Sequence, residues 1–230
     1  MIFDVVTIFP EIFNSFLRES LIARAQKKGL IKIRVHNLRK WTKDRHKTVD
    51  DRPYGGGLGM VLKIEPIYKA IKSICGVTNS AHNSAHKKRK IILFSPRGKK
   101  FNQKIAYQLS KLNRIILICG RYEGVDERVA KYIADMELSI GDYVLMGGEL
   151  PAMIMIETIA RLIPGVIGKE ELLKERITKE KGFIEYEQYT RPETFIAGKK
   201  KKWSVPKVLL SGDHKKISEW KEKHRAIIEK

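Results

Sequence analysis

Two apolar segments that open straight into glycine-rich turns constrain this chain more than any other feature. Residues 114–151 read RIILICGRYEGVDERVAKYIADMELSIGDYVLMGGELP. Ile115–Cys119 runs into Gly120–Gly124, and Met136–Ile140 runs into Gly141–Gly148. A strand ending in glycines leaves bare backbone N–H and C=O groups at a sheet edge, where a ligand can approach without meeting a Cβ. Two such loops in succession predict one shared pocket.

The rest of the chain supplies a sheet for them. Phe3–Phe9 is β-branched and apolar, a buried strand. Pro10 opens a helix with Ile12, Phe13, Phe16, Leu17 and Ile22 on one side, closing near Gly29. Ile31–Leu38 alternates as a second strand and Ile91–Phe94 makes a third, followed by Ser95-Pro96-Arg97-Gly98. Helices are predicted from Glu65-Pro66 to Cys75, over Phe101–Leu112, and over Leu150–Ile163 with Pro151 in the first turn. Gly55, Gly56, Gly57 and Gly59 exclude regular structure between Pro53 and Met60. Strands alternating with helices indicate an α/β fold with a mainly parallel sheet.

The composition changes after Gly168. Residues 169–181 are nearly all charged (KEELLKERITKEK) and read as a linker. We therefore expect a domain over 1–167, a flexible linker over 168–181 and a small, mostly helical domain over 182–230. The chain carries 46 Lys and Arg against 26 Asp and Glu, a formal charge of +20. That balance favours a polyanionic partner, because neutralised phosphates release condensed counterions. Cys75 and Cys119 are too few and too far apart for a disulfide framework or a metal site. The six histidines, His82 and His86 included, lack zinc-ligand spacing, so no metal site is expected. The N-terminus lacks a basic signal-peptide region, and Tyr143–Ile163 is too polar to cross a bilayer. The expectation is a cytoplasmic protein without membrane contact.

The glycine loops do not match a phosphate cradle. Gly55–Met60 lacks the Lys-Ser/Thr of a P-loop, and no G-x-G-x-x-G opens a helix after the first strand. A pocket that reads its ligand by main-chain hydrogen bonds suits an adenine edge, and S-adenosylmethionine has no phosphate to clamp.

With these residues in view, the chain resembles the bacterial tRNA (guanine-N1)-methyltransferases, a knotted family of the SPOUT class. The resemblance is carried by DVVTIFPEIF at 4–13, DRHKTVDDRPYGGG at 44–57, SPRG at 95–98 and CGRYEGVDER at 119–128. It continues in SIGDYVLMGGELPA at 139–152, RLIPGV at 161–166, YTRPE at 189–193 and VLLSGDH at 208–214. It implies a deep trefoil knot in the methyltransferase domain, an obligate homodimer with active sites shared between subunits, and a C-terminal domain that grips tRNA. It also implies S-adenosylmethionine as cofactor, held by Ser95, Pro96, Gly98, Gly120, Arg121, Tyr122, Glu123, Ile140, Gly141, Asp142, Tyr143, Val144, Leu145, Gly147 and Gly148. The substrate it implies is the guanine immediately 3′ of the anticodon, methylated on N1. Arg45, Asp50, Arg52, Lys200 and Trp203 are then candidate tRNA contacts. Members of the family are reported to use magnesium, but no carboxylate cluster here reads as a dedicated site.

Guanine N1 carries a proton, so the reaction needs a base, and a cation to stabilise charge developing on O6. The resemblance assigns the cation to Arg161. It places the base on an Asp in the linker, yet this chain has no Asp between Asp142 and Asp213. Glu175 is the nearest carboxylate and the candidate base; Glu171, Glu180 and another route of deprotonation are alternatives. A chain without that base could instead be a tRNA-binding homologue with weak or lost catalysis. The Gly-rich loop also has Leu58 where the family usually has Pro.

Overall fold

The computed structural model describes residues 1–76, 88–168, 182–198 and 201–228. The chain divides into two compact units, Met1–Glu170 and Glu171–Lys230.

The first unit is built on a five-stranded sheet. Its strands are β1 (Ile2–Thr7), β2 (Lys32–Asn37), β5 (Arg89–Lys100), β6 (Arg114–Ile118) and β7 (Met136–Ser139), in the order β2-β1-β6-β5-β7. Every pairing in it is parallel, as expected. Parallel sheets need cover on both faces, and the alternation along each strand provides it. Phe3, Val5, Ile115 and Leu117 face one cluster, which they share with α2 (Ser20–Lys27), α4 (Gln103–Leu109) and α6 (Glu149–Ala160). Val6, Ile116 and Ile118 face the other, with α3 (Ile64–Cys75) and α5 (Glu127–Tyr132). A short helix, α1 (Asn14–Arg18), precedes α2.

One strand departs from expectation. β5 was predicted to stop at Phe94, but it leaves the sheet for Ser95–Gly98 and then returns. Phe94 and Lys99 both pair with Leu138 of β7. Gly98 makes the return possible: a Cβ there would stand 2.6 Å from the Leu138 backbone nitrogen. The strand pair β3 (Asp50–Asp51) and β4 (Val61–Leu62) brackets the Gly55–Gly59 turn.

Within β1, Asp4 is fully buried. It accepts from Arg114 Nε at 2.7 Å and pairs with His36 Nε2 at 2.7 Å.

The second unit corrects the expectation of a mostly helical domain. Beside α7 (Lys207–Leu210) and α8 (His214–Lys223) it holds two antiparallel strand pairs. β8 (Phe183–Tyr186) pairs with β11 (Arg225–Ile228), and β9 (Thr194–Ala197) pairs with β10 (Lys201–Ser204). Strand partners at opposite ends of a segment are invisible to local propensity, and the dense lysines obscured the alternation.

Candidate functional site

The loops after β6 and β7 meet. Gly148 donates its N–H to the Gly120 carbonyl at 3.0 Å, and Arg121 and Gly147 form an isolated antiparallel bridge. The approach is so close that a Cβ on Gly148 would lie 2.7 Å from Cys119 Cα. Burial pushes the Cys119 thiol well up, so it packs there as a neutral, small apolar group. Tyr122 takes a left-handed backbone with φ of 59°, a conformation that costs about 1–3 kcal/mol for a residue with a side chain and clusters at binding sites.

A third segment is fastened to the same rim. Glu123 donates its N–H to Met60 O at 3.0 Å, Leu62 donates to Gly124 O at 3.0 Å, and Asp126 donates to Leu62 O at 3.0 Å. The Gly55–Gly59 turn therefore stands at the edge of the loop after β6. Its Tyr54 and Leu58 side chains are fully exposed.

These loops and the Ser95–Gly98 excursion of β5 enclose a cavity of about 560 Å³. Twelve of the expected cofactor-binding residues line it: Ser95, Pro96, Gly120, Arg121, Tyr122, Glu123, Ile140, Tyr143, Val144, Leu145, Gly147 and Gly148. Three do not. Gly98 is pressed onto the β7 backbone, and the turn at Gly141 is closed by its contacts with Ser139. Asp142 is exposed and ion-paired to Lys100.

Sequence reasoning missed the charges on the wall. Arg97, Glu127 and Glu137 also line the cavity, and Arg97 bridges Glu127 and Glu137, the latter at 3.4 Å. They come from three elements, so no local motif announces them. Among the described residues the lining therefore holds two arginines, Arg97 and Arg121, against three glutamates, Glu123, Glu127 and Glu137, and no lysine. Both guanidiniums are engaged by carboxylates, Arg121 by Glu149 at 2.8 Å. In a chain of net charge +20, this wall is acidic. It disfavours a phosphate and suits a cationic or zwitterionic ligand.

Arg161 is not at the cavity of its own chain. It caps the C-terminal end of α6 and is exposed. The N-terminal end of α6 abuts the cavity, which puts Arg161 roughly 18 Å away at about 1.5 Å of rise per residue. Arg45 is exposed, Asp50 lies in β3, and Arg52 directly follows β3. Trp203 is 56% exposed on β10. Glu175 and Lys200 lie outside the described residues. Among the described residues no cluster of His, Cys, Asp and Glu has the makings of a metal site. No helix among them is long and apolar enough to cross a membrane.

Comparison with known proteins bears directly on this geometry. The family model described as tRNA (Guanine-1)-methyltransferase TrmD matches residues 1–228. The chain is 51% identical to a tRNA (guanine-N(1)-)-methyltransferase of Dictyoglomus turgidum over 220 residues, 96% of this chain and 83% of the relative. It is 48% identical to the protein of the same name from Clostridioides difficile over 230 residues, all of this chain and 94% of the relative.

Proposed function

The chain belongs to the tRNA (guanine-1)-methyltransferase TrmD family, and from that premise we propose that it methylates N1 of the guanine immediately 3′ of the anticodon in tRNA, with S-adenosylmethionine as donor. The observation that carries the donor assignment is the acidic cavity walled by glycine backbone, without a lysine among its described lining residues. S-adenosylmethionine supplies an electrophilic methyl group on a positively charged sulfur. The wall fits it: Gly120 and Ile140 line the cavity and their main-chain groups can pair with the adenine edge, Tyr122 and Tyr143 can flank it, and the glutamates favour the positive charges.

The residues of the chain then divide the remaining tasks. Arg161 stabilises the charge that develops on guanine O6, since a guanidinium is permanently charged and forks onto an oxo group. Glu175 accepts the N1 proton, as the nearest carboxylate to the position where the family has Asp. Arg45, Asp50 and Arg52 flank the turn at the cavity rim, while Lys200 and Trp203 belong to the C-terminal unit; these five contact the tRNA. The reaction takes place in the cytoplasm, where tRNA is found.

A homodimer reconciles Arg161 with the cavity. Leu150 is 55% exposed and Ile154 43% on α6, with Phe9 at 39% and Ile12 at 41% nearby in the same unit. Exposed apolar side chains at one end of a helix call for cover. A second copy of the chain provides it and brings its Arg161 to the neighbouring cavity. A trefoil knot is the chain path we assign to the segment from β5 to α6. The loop after β7 crosses back past β5 to reach the end of β6, a route that ordinary topologies avoid.

The test is transfer of labelled methyl from S-adenosylmethionine to tRNA transcripts carrying guanine or adenine at the target position. Guanine-dependent label is expected. Its absence refutes the activity, and a protein that binds both ligands without turnover is a binding homologue instead.

A further inference from the structure

We propose that Glu149 is a positioning residue of the cavity: it aims Arg121 and thereby holds the loops after β6 and β7 in the shape that takes the methyl donor. The inference rests on the methyl-donor reading of the cavity.

Glu149 does not line the cavity itself. It is the first residue of α6 and is 1% exposed. Both carboxylate oxygens are used. Oε1 accepts from the Thr7 hydroxyl at 2.6 Å, and Oε2 accepts from Arg121 Nε at 2.8 Å. Thr7 is the last residue of β1, and its hydroxyl in turn accepts from the Phe9 N–H at 2.9 Å. Arg121 is fixed on its remaining sides. Its guanidinium lies over the Phe9 ring, 4.9 Å from the centroid, and Nη1 reaches Met146 O at 3.4 Å. One carboxylate thus joins β1, the start of α6 and both glycine loops.

The glycine pattern was shaped around this pair. A Cβ on Gly147 would stand 2.3 Å from Arg121 Nε and 2.6 Å from Glu149 Oε2. The ion pair occupies the space that any side chain at 147 would need.

Stability alone is a poor reason for the arrangement. A carboxylate at a helix N-terminus is favourable on the surface too. Burying it with a guanidinium brings a desolvation cost that the pair only offsets when every lone pair is satisfied. What a fully satisfied buried pair does well is select one geometry. Here that geometry is the orientation of Arg121 on the cavity wall.

The experiment compares wild type, Thr7→Val, Thr7→Ser, Glu149→Gln and the Thr7→Val/Glu149→Gln double variant. Calorimetric binding of S-adenosylhomocysteine is measured beside KM for donor and for tRNA, kcat and thermal midpoint. Loss of one hydrogen bond to the buried carboxylate predicts about tenfold weaker binding and higher donor KM in Thr7→Val and in Glu149→Gln. kcat at saturating donor and KM for tRNA stay near wild type. Thr7→Ser binds like wild type, and the double variant is no worse than the worse single one, because both act through Arg121. If Glu149→Gln does not fold, Thr7→Val against Thr7→Ser still decides. Unchanged donor affinity in the variants with only a lower thermal midpoint overturns the proposal, as do fully additive losses. A wild type that binds no S-adenosylhomocysteine refutes the reading of the cavity itself, a different and distinguishable failure.

Discussion

Gly148 and Cys119 touch through their backbones: a Cβ on Gly148 would lie 2.7 Å from Cys119 Cα and 3.1 Å from the Gly120 nitrogen. Backbone cannot move aside as a flexible side chain can. Gly148→Ala therefore forces the two loops apart, at an overpacking cost of about 1–3 kcal/mol. The expected result is a lower thermal midpoint and at least about tenfold weaker binding of S-adenosylhomocysteine. Gly168 has open space where a Cβ would go, so Gly168→Ala is the control and should stay within about 0.5 kcal/mol of wild type. Equal behaviour of the two variants would contradict the crossing described here.

If active sites are shared, two inactive variants should rescue each other. Arg161→Ala lacks the cation supplied from the far end of α6, and Gly148→Ala lacks an intact cavity. Each alone should lose most of its turnover. Mixed under conditions of subunit exchange, they form heterodimers with one site built wholly from intact parts. Guanine-dependent methyl transfer should then reappear. A mixture that exchanges subunits and stays dead would rule out the shared site.

Asp4 ties stability to pH. Burial pushes its carboxyl up, but hydrogen bonds from His36 and Arg114 outweigh this and hold it below its ordinary value of 3.8. A depressed folded value means the contribution is fully present above the unfolded value, about 3.9, and is lost as pH falls through the lower folded one. Asp4→Asn should cost about 1.5–3 kcal/mol near pH 6, the range for hydrogen bonds to a charged group. The penalty should shrink toward pH 3. Urea denaturation of both proteins at the two pH values measures it, and a penalty that grows on acidification would refute the sign.

The β9–β10 hairpin separates charge from stacking. Trp203 and Phe195 are paired across it with ring centroids 5.7 Å apart, and both are about half exposed. Lys201→Ala and Lys202→Ala should each lower the slope of log affinity for tRNA against log salt by about 0.7–0.9. Trp203→Ala should weaken binding by roughly fivefold or more without changing that slope, since base stacking releases no counterions. A filter-binding series across salt concentrations checks both. A slope altered by Trp203→Ala would rule out a stacking role.

How much of this was readable beforehand depends on whether the cause was local. The strands Ile2–Thr7 and Arg114–Ile118 announce themselves by apolar runs buried on both faces, and Lys32–Asn37 by the alternation of Ile33 and Val35 with polar residues. The glycines at 147 and 148 were legible because a close backbone approach tolerates nothing larger. The acidic wall was not legible, because Arg97, Glu127 and Glu137 come from a strand, a helix and another strand. Glu149 stands one residue before the helix expected over Leu150–Ile163 and drew no role from the sequence; that it reaches both Thr7 and Arg121 depends on how β1 and α6 pack. β8 and β11 stayed hidden because neither can satisfy its backbone without a distant partner.

By itself, the sequence determined the alternation that buries both sheet faces and the places where the backbone must run bare, and its motifs carried the family resemblance. The first two follow from side-chain size and periodicity, which are written in the local sequence. Tertiary structure decided that three loops share one acidic cavity, that Arg121 is held by Glu149, and that Arg161 lies a helix away from the cavity of its own chain. Distance and burial belong to pairs of residues, and only the folded chain brings those pairs into being.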